Sequence, residues 1–360
     1  MSQQFKNLEE VKRSVIESID NYSQDAINIA KTILKNPEPG FREYKTSEVV
    51  KSEFEKIGLK YESGIALTGV KAKLTSNKPG PTIAVIGELD SLIVKDHQFA
   101  HPDTLAAHAC GHHCQIAMML AVAKCFSSPN ILESLSGSLV FIAVPAEEFI
   151  EIEYRNELRK AGKLEFLGGK PEFVKLGALD DVDIAMMTHT DAKDSMGGKI
   201  GIAPTNNGML AKLISFVGLA SHAGGSPHTG INALNAAMIA LSAIHAQRET
   251  FKEEDSIRIH PIITRGGLAV SSVPSDVRIE TFVRGSNIDA IIDASEKVDR
   301  SLKAGAFAIG ADVNIVTLPG YLPIVTDTNL QNIYIENAKR LVGSENVVTM
   351  KHRTGSTDMG

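Results

Sequence analysis

Ser138-Leu139-Val140-Phe141-Ile142-Ala143-Val144 is apolar almost without a break and runs through Pro145-Ala146 into the paired carboxylates Glu147-Glu148. A strand with water on one face alternates apolar and polar side chains. A continuous apolar run therefore reads as a strand covered on both faces, as in a parallel sheet between helices. Residues 82–87 and 183–188 have the same character, the first leading into Glu88-Leu89-Asp90 and the second into His189. Helical spacing lies between the strands, clearest over residues 113–126 and again over 171–176. Strand alternating with helix predicts an α/β domain built on a largely parallel sheet.

Upstream, Leu8, Val11, Val15 and Ile19, then Ile27, Ala30 and Leu34, predict two helices separated near Asn21-Tyr22-Ser23. Asn36-Pro37-Glu38-Pro39-Gly40 ends that region, because proline lacks an amide proton and turns the preceding residue away from helix. A further helix over residues 46–57 stops at Gly58. Beyond residue 206 the rhythm becomes strand (209–218), helix (231–247), strand (256–264), strand (276–283), helix (288–309) and strand (312–317). That βαββαβ order is the ferredoxin-like pattern, self-contained enough to be an inserted domain. The expected organisation is a catalytic domain over residues 1–205 and 319–360, including a helix at 328–341 and a strand at 346–350, interrupted by an inserted domain over 206–318.

The 360 residues are 43% hydrophobic and 22% charged, the balance of a folded globular chain rather than a disordered one. The longest apolar run, residues 116–123, is far short of the roughly 20 residues that span a bilayer, so no membrane segment is expected. The first ten residues are polar and lack a secretory h-region, which predicts a cytoplasmic protein. A formal charge of −6 without any long basic block argues against nucleic acid as a partner. Cys110, Cys114 and Cys125 lie in one short stretch, the wrong layout for a disulfide framework.

In open α/β sheets ligands bind beyond the carboxyl ends of the strands. There the chain offers Glu88 and Asp90, Glu147 and Glu148, and His189, while Cys110-Gly111-His112 stands before a helix whose exposed amides favour a thiolate. Thiolate, imidazole and carboxylate are the ligand types zinc takes, and imidazole with carboxylate also suits manganese, cobalt or nickel. Taken singly, a buried cysteine is a small hydrophobe and a strand-end histidine an ordinary hydrogen-bonder. Two adjacent carboxylates at a buried strand end are costly unless something cationic offsets them, so the set as a whole points to metal. No Gly-x-Ser-x-Gly elbow, His-Glu-x-x-His helix or phosphate-binding Gly-x-x-x-x-Gly-Lys loop occurs.

These residues fall within motifs that resemble a known family in family order: Asn36-Pro37-Glu38-Pro39-Gly40-Phe41, Gly87-Glu88-Leu89-Asp90, His108-Ala109-Cys110-Gly111-His112, Pro145-Ala146-Glu147-Glu148, Ser221-His222-Ala223, Gly230-Ile231-Asn232-Ala233, and Gly266-Gly267 before Val273-Pro274. The resemblance is to the dinuclear metallopeptidases and amidohydrolases that include aminoacylase, glutamate carboxypeptidase and indole-acetyl-amino acid hydrolase, nearest to the aminobenzoyl-glutamate hydrolase and aminoacylase-like subgroup. It implies metal-dependent hydrolysis of the amide in an N-acyl amino acid, an aminobenzoyl-glutamate-like conjugate or a small dipeptide with a free carboxylate, and a homodimer formed through the inserted lid domain.

By the same resemblance, two divalent ions (Zn, Mn, Co or Ni) would be held by Cys110, His112, Glu148 and His189, with Glu147 as general base. Asp90 would orient a ligand, the alternative being a strand-end cap. His222 would polarise the scissile carbonyl and Arg284 bind the substrate carboxylate, against the plainer readings of a surface histidine and a solvated arginine. Ser271 stands where the family usually has asparagine and would touch the substrate. After Gly355-Ser356-Thr357-Asp358-Met359-Gly360 the family pattern continues with a segment carrying a last histidine ligand. The alternative expectation is thus a catalytically incomplete or truncated member that cannot hold both ions, unless His352 or a partner's residue substitutes. A third reading is a binding module with one structural zinc.

Overall fold

Asn7 caps the first helix, its side chain accepting from the Glu10 amide at 3.0 Å, while Glu9 and Glu10 place negative charge in the first turn. In this computed structural model, which describes residues 7–191 and 198–360, that helix (α1, Leu8–Leu34) runs unbroken through Asn21-Tyr22-Ser23. The two-helix expectation is corrected, and the reason is local. Ser23 donates to the Asp20 carbonyl at 2.7 Å and Tyr22 donates to Glu53 at 3.2 Å, so both polar groups are served without leaving helical backbone.

Contacts divide the chain into two units, residues 1–150 with 158–192 and residues 151–157 with 193–360. In the first, α2 (Tyr44–Ile57) ends at Gly58, whose φ of 81° is left-handed. Strands β1 (Tyr61–Ile65), β2 (Gly69–Thr75), β3 (Thr82–Glu88), β4 (Leu92–Ile93) and β5 (Ala106–Ala107) follow, then α3 (His112–Phe126), α4 (Pro129–Leu132) and β6 (Ser138–Val144). α5 (Ile152–Lys160), whose residues up to 157 group with the second unit, is followed by α6 (Gly169–Lys175) and β7 (Ile184–Met187) of the first.

The main sheet has the order β1-β2-β6-β3-β7. β3 is parallel to β6 and to β7, as the three apolar runs require, but β1 and β2 add two antiparallel strands beyond β6. The sheet is mixed rather than largely parallel. A short turn with left-handed residues at Ala66 and Leu67 joins β1 to β2, and strands so closely connected can pair only antiparallel. Ile33, Phe54, Val70, Leu120 and Phe141 share one buried core. Gly87 lets α3 approach β3, since a Cβ there would lie 3.0 Å from Ile116 Cδ1.

The second unit holds β8 (Ile200–Ile202), β9 (Gly208–Val217), α7 (Ala233–Ala246), β10 (Arg258–Ile259), β11 (Ile262–Arg265), β12 (Asp276–Gly285), α8 (Ile288–Ile309), β13 (Asp312–Tyr321), α9 (Thr328–Val342) and β14 (Val347–Thr349). Its antiparallel sheet has the order β10-β12-β9-β13, with β11 also on β12. Phe216, Ala240, Val277, Val298 and Leu302 form the core between α7, α8 and this sheet. The strand expected over 256–264 is two short ones, split where Pro261 has no amide to donate. β14 pairs parallel with β8, and residues beyond 318 group with this unit. Ile333 and Leu341 on α9 are exposed. Among the described residues no helix is long and apolar enough to cross a membrane.

Candidate metal centre

The polar ends of β3, β6 and β7 converge on the start of α3. Gly111 precedes His112 with φ of 99°, and a Cβ there would run into Thr190. The Thr190 hydroxyl donates to the Cys110 carbonyl at 2.9 Å, which ties the segment after β7 to the turn before α3. Cys110 Sγ consequently lies 3.2 Å from His189 Nε2. His189 Nδ1 donates to the Thr190 carbonyl at 2.5 Å, which leaves Nε2 bare toward the sulfur.

His112 is fully buried. Its Nδ1 lies 2.9 Å from the Asp90 carbonyl oxygen and 3.2 Å from Asp90 Oδ1. Its Nε2 lies 3.0 Å from Glu88 Oε2, 3.9 Å from Glu147 Oε2 and 4.0 Å from Glu148 Oε1. Burial opposes a charged ring, yet Glu88 first and then Asp90 hold the imidazole well above its ordinary pKa. Burial also raises Glu148, with the charge of Asp90 adding to it, and pushes the Cys110 thiol up to about 11.

Cys110, His112 and His189 bring ligand atoms within 4.8 Å of one another, and so do Glu88, His112 and Glu147. Sulfur, imidazole and carboxylate in two overlapping groups are the donor set of a divalent-cation site. The pKa directions agree. Burial penalises the charged forms of Glu148 and Cys110, and a divalent ion beside them would favour those forms.

Ala146 carries the strain of the β6 end, with φ of 55° at a residue other than glycine, a conformation costing about 1–3 kcal/mol. Its amide donates to the buried Glu43 Oε1 at 2.8 Å. Glu43 Oε2 accepts from Thr68 at 2.6 Å, so a residue absent from the sequence expectations pins the turn that aims Glu147 and Glu148. Asp90 Oδ2 accepts from the Glu148 amide at 2.9 Å, tying that turn to the end of β3.

Glu88, offered at the end of its apolar strand but given no individual role from sequence, meets a residue the sequence reading did not name, Lys170, whose ammonium sits 2.5 Å from Glu88 Oε1. Nothing in Gly168-Gly169-Lys170 marks that pairing. It arises because Gly169 has no Cβ to strike the Pro145 carbonyl, so the start of α6 lies against the end of β6.

The other expected site residues belong to the second unit. His222 is exposed and its Nδ1 accepts from the amides of Gly224 at 3.2 Å and Gly225 at 2.8 Å. Ser271 is held beside it through the Ala223 amide, which donates to the Ser271 carbonyl at 2.8 Å. Arg284 on β12 has its guanidinium 5.0 Å from the Phe282 ring centroid. His352, weighed as a substitute ligand, has Nδ1 2.9 Å from Thr205 Oγ1 and Nε2 2.9 Å from Asn207 Oδ1. Both ring nitrogens are engaged, so a substitute ligand is not available there.

Comparison with known proteins gives a consistent picture. The model of peptidase family M20/M25/M40 matches residues 85–360. An N-acyl-L-amino acid amidohydrolase of Geobacillus stearothermophilus is 28% identical over 331 residues, 88% of this chain and 81% of that protein. The IAA-amino acid hydrolase ILR1-like 4 of Arabidopsis thaliana is 26% identical over 344 residues, 92% of this chain and 73% of that one. A Bacillus subtilis protein described as a dinuclear metal-binding peptidase from the M20 family superposes with a TM-score of 0.65 at 22% identity, covering 94% of this chain and 85% of its own.

Proposed function

This chain belongs to peptidase family M20/M25/M40 and is a hydrolase of amide bonds, and from that premise we propose that it cleaves the amide of an N-acyl amino acid, or of a small dipeptide with a free carboxylate, at a centre of two divalent ions. The observation that carries this reading is the convergence of Cys110, His112 and His189 beside Glu147 and Glu148. In it Cys110, His112, Glu148 and His189 hold the metal. Bound there, divalent ions such as zinc or manganese supply Lewis acidity to a water and to the scissile carbonyl.

The remaining work falls to the protein's own groups. Glu147, buried and 3.9 Å from His112, takes the proton of the attacking water and passes it to the leaving amine, which a carboxylate within hydrogen-bond reach can do. Asp90 fixes the His112 ring through Nδ1. His222 polarises the carbonyl, Ser271 contacts the substrate, and Arg284 receives its carboxylate, for which a planar guanidinium fork is suited. Residues 206–318 serve as lid and dimerisation domain. The enzyme works in the cytoplasm, where three thiols outside any disulfide are at home.

The test is a metal-analysed preparation assayed against acyl amino acids and dipeptides. Two tightly bound equivalents with hydrolysis abolished by a chelator and restored by the metal are the expected result. Tightly bound metal without turnover of any substrate in the panel overturns the reading. Within it, R284A raises KM for substrates with a free carboxylate more than for their amides, and H222A lowers kcat at unchanged metal content.

A further inference from the structure

Lys170 has no part in the chemistry above, yet it is buried, and its ammonium lies 2.5 Å from Glu88 Oε1. Removing an ammonium from water costs several kcal/mol unless it is paired. Its partner is fixed from three sides. The Glu88 amide donates to Gln115 Oε1 at 3.0 Å, its Oε1 faces Lys170, and its Oε2 lies 3.0 Å from His112 Nε2.

Glu88 and Glu147 both reach the same side of His112, within one candidate ligand group. An ion drawn to that group has two carboxylates to choose from, and only one of them is the proposed base. On the basis of the metal-centre reading, we propose that Lys170 is a positioning residue that clamps Glu88 Oε1, keeps Glu88 from moving fully onto the ion, and by its charge holds the affinity of the centre down so that Glu147 stays free for proton transfer.

The charge arithmetic gives each variant a sign. Lys170→Met leaves Glu88 unrestrained and the cluster more negative, so chelator-stripped protein titrated with zinc or manganese binds at least about tenfold tighter, while kcat falls at unchanged KM. Lys170→Arg keeps the charge and binds within about threefold of the wild type. Glu88→Gln removes one carboxylate charge from the cluster and weakens binding by at least about tenfold. The double variant Lys170→Met/Glu88→Gln, which removes one charge of each sign and leaves the net charge of the cluster unchanged, returns to within about threefold of wild type. Equal affinities in wild type, Lys170→Met and Glu88→Gln overturn the proposal, as does a shift in Lys170→Arg as large as in Lys170→Met. A wild-type chain that binds no divalent ion overturns the metal-centre reading itself, a result distinct from equal affinities among variants that all bind.

Discussion

Asp90 holds two members of the cluster at once: its Oδ1 lies 3.2 Å from His112 Nδ1, and its Oδ2 accepts from the Glu148 amide at 2.9 Å. One carboxylate therefore sets both the ring that faces Glu147 and the turn that carries Glu148. Asp90→Asn can keep the second contact through its amide oxygen but turns an NH2 toward the imidazole, which disfavours the tautomer with bare Nε2. Loss of such a supporting partner commonly costs 10–100-fold, and we expect a drop of about that size in metal affinity or kcat. Paired titration and steady-state kinetics check it, and an Asp90→Asn protein with unchanged values of both removes the orienting role.

Much of this centre is legible in the sequence because its parts sit where two general rules put ligands: at the ends of apolar strands and before a helix. Glu147 and Glu148 follow a run that is a buried strand, His189 follows β7, which lies at the sheet edge with its side chains half-buried or exposed and so is less covered than its apolar run predicts, and Cys110 and His112 flank the start of α3. What was not legible depends on contacts between segments far apart in the chain. Glu43 reaches Ala146 and Lys170 reaches Glu88, and no local pattern encodes either pairing. β1 is missed because Glu62, Ser63 and Gly64 are exposed and carry no apolar period. The alternation Val70, Lys71, Ala72, Lys73 in β2 was a readable strand signal. The break expected near Tyr22 fails because its polar groups find partners from inside the helix.

Glu147 and Glu148 are adjacent in sequence but are assigned different work, and isosteric amides separate them. Glu147→Gln should retain metal and fold while losing turnover by at least about a hundredfold, since an amide cannot accept the water's proton. Glu148→Gln should lose metal first, and its activity should recover in part at high metal concentration. Metal analysis beside kcat reads both. If the first variant loses metal and the second keeps it, the two roles are exchanged.

Cys110 supplies the only sulfur at the centre among the described residues, 3.2 Å from His189 Nε2. Serine in its place is a harder and weaker donor, so Cys110→Ser should lose zinc affinity by at least about tenfold and manganese affinity by less. Competition titrations with the two metals give the ratio directly. An equal loss for both ions would mean that the sulfur is not a ligand.

Glu43 makes the stability of the metal-free protein depend on pH in an unusual direction. Burial, together with the nearby Asp90 charge, raises its pKa from 4.5 to about 7. Between those two values the folded state binds a proton that the unfolded state does not, so stability falls as pH rises across this window. The contribution is fully present below about pH 4.5 and lost above about pH 7, and a shift of that size corresponds to roughly 3 kcal/mol. Glu43→Gln cannot ionise, yet its amide oxygen can still accept from the Ala146 amide while its NH2 donates to the Thr68 hydroxyl. Chelator-treated Glu43→Gln should thus be more stable than the wild type at pH 8, and the gap should close toward pH 5. Urea unfolding of both proteins across that range measures the difference at each pH, which cancels the titration of every other group. A gap that stays constant with pH, or widens toward pH 5, would show that Glu43 is ionised in the folded protein throughout and that the Ala146 turn is held by a carboxylate rather than by a carboxylic acid.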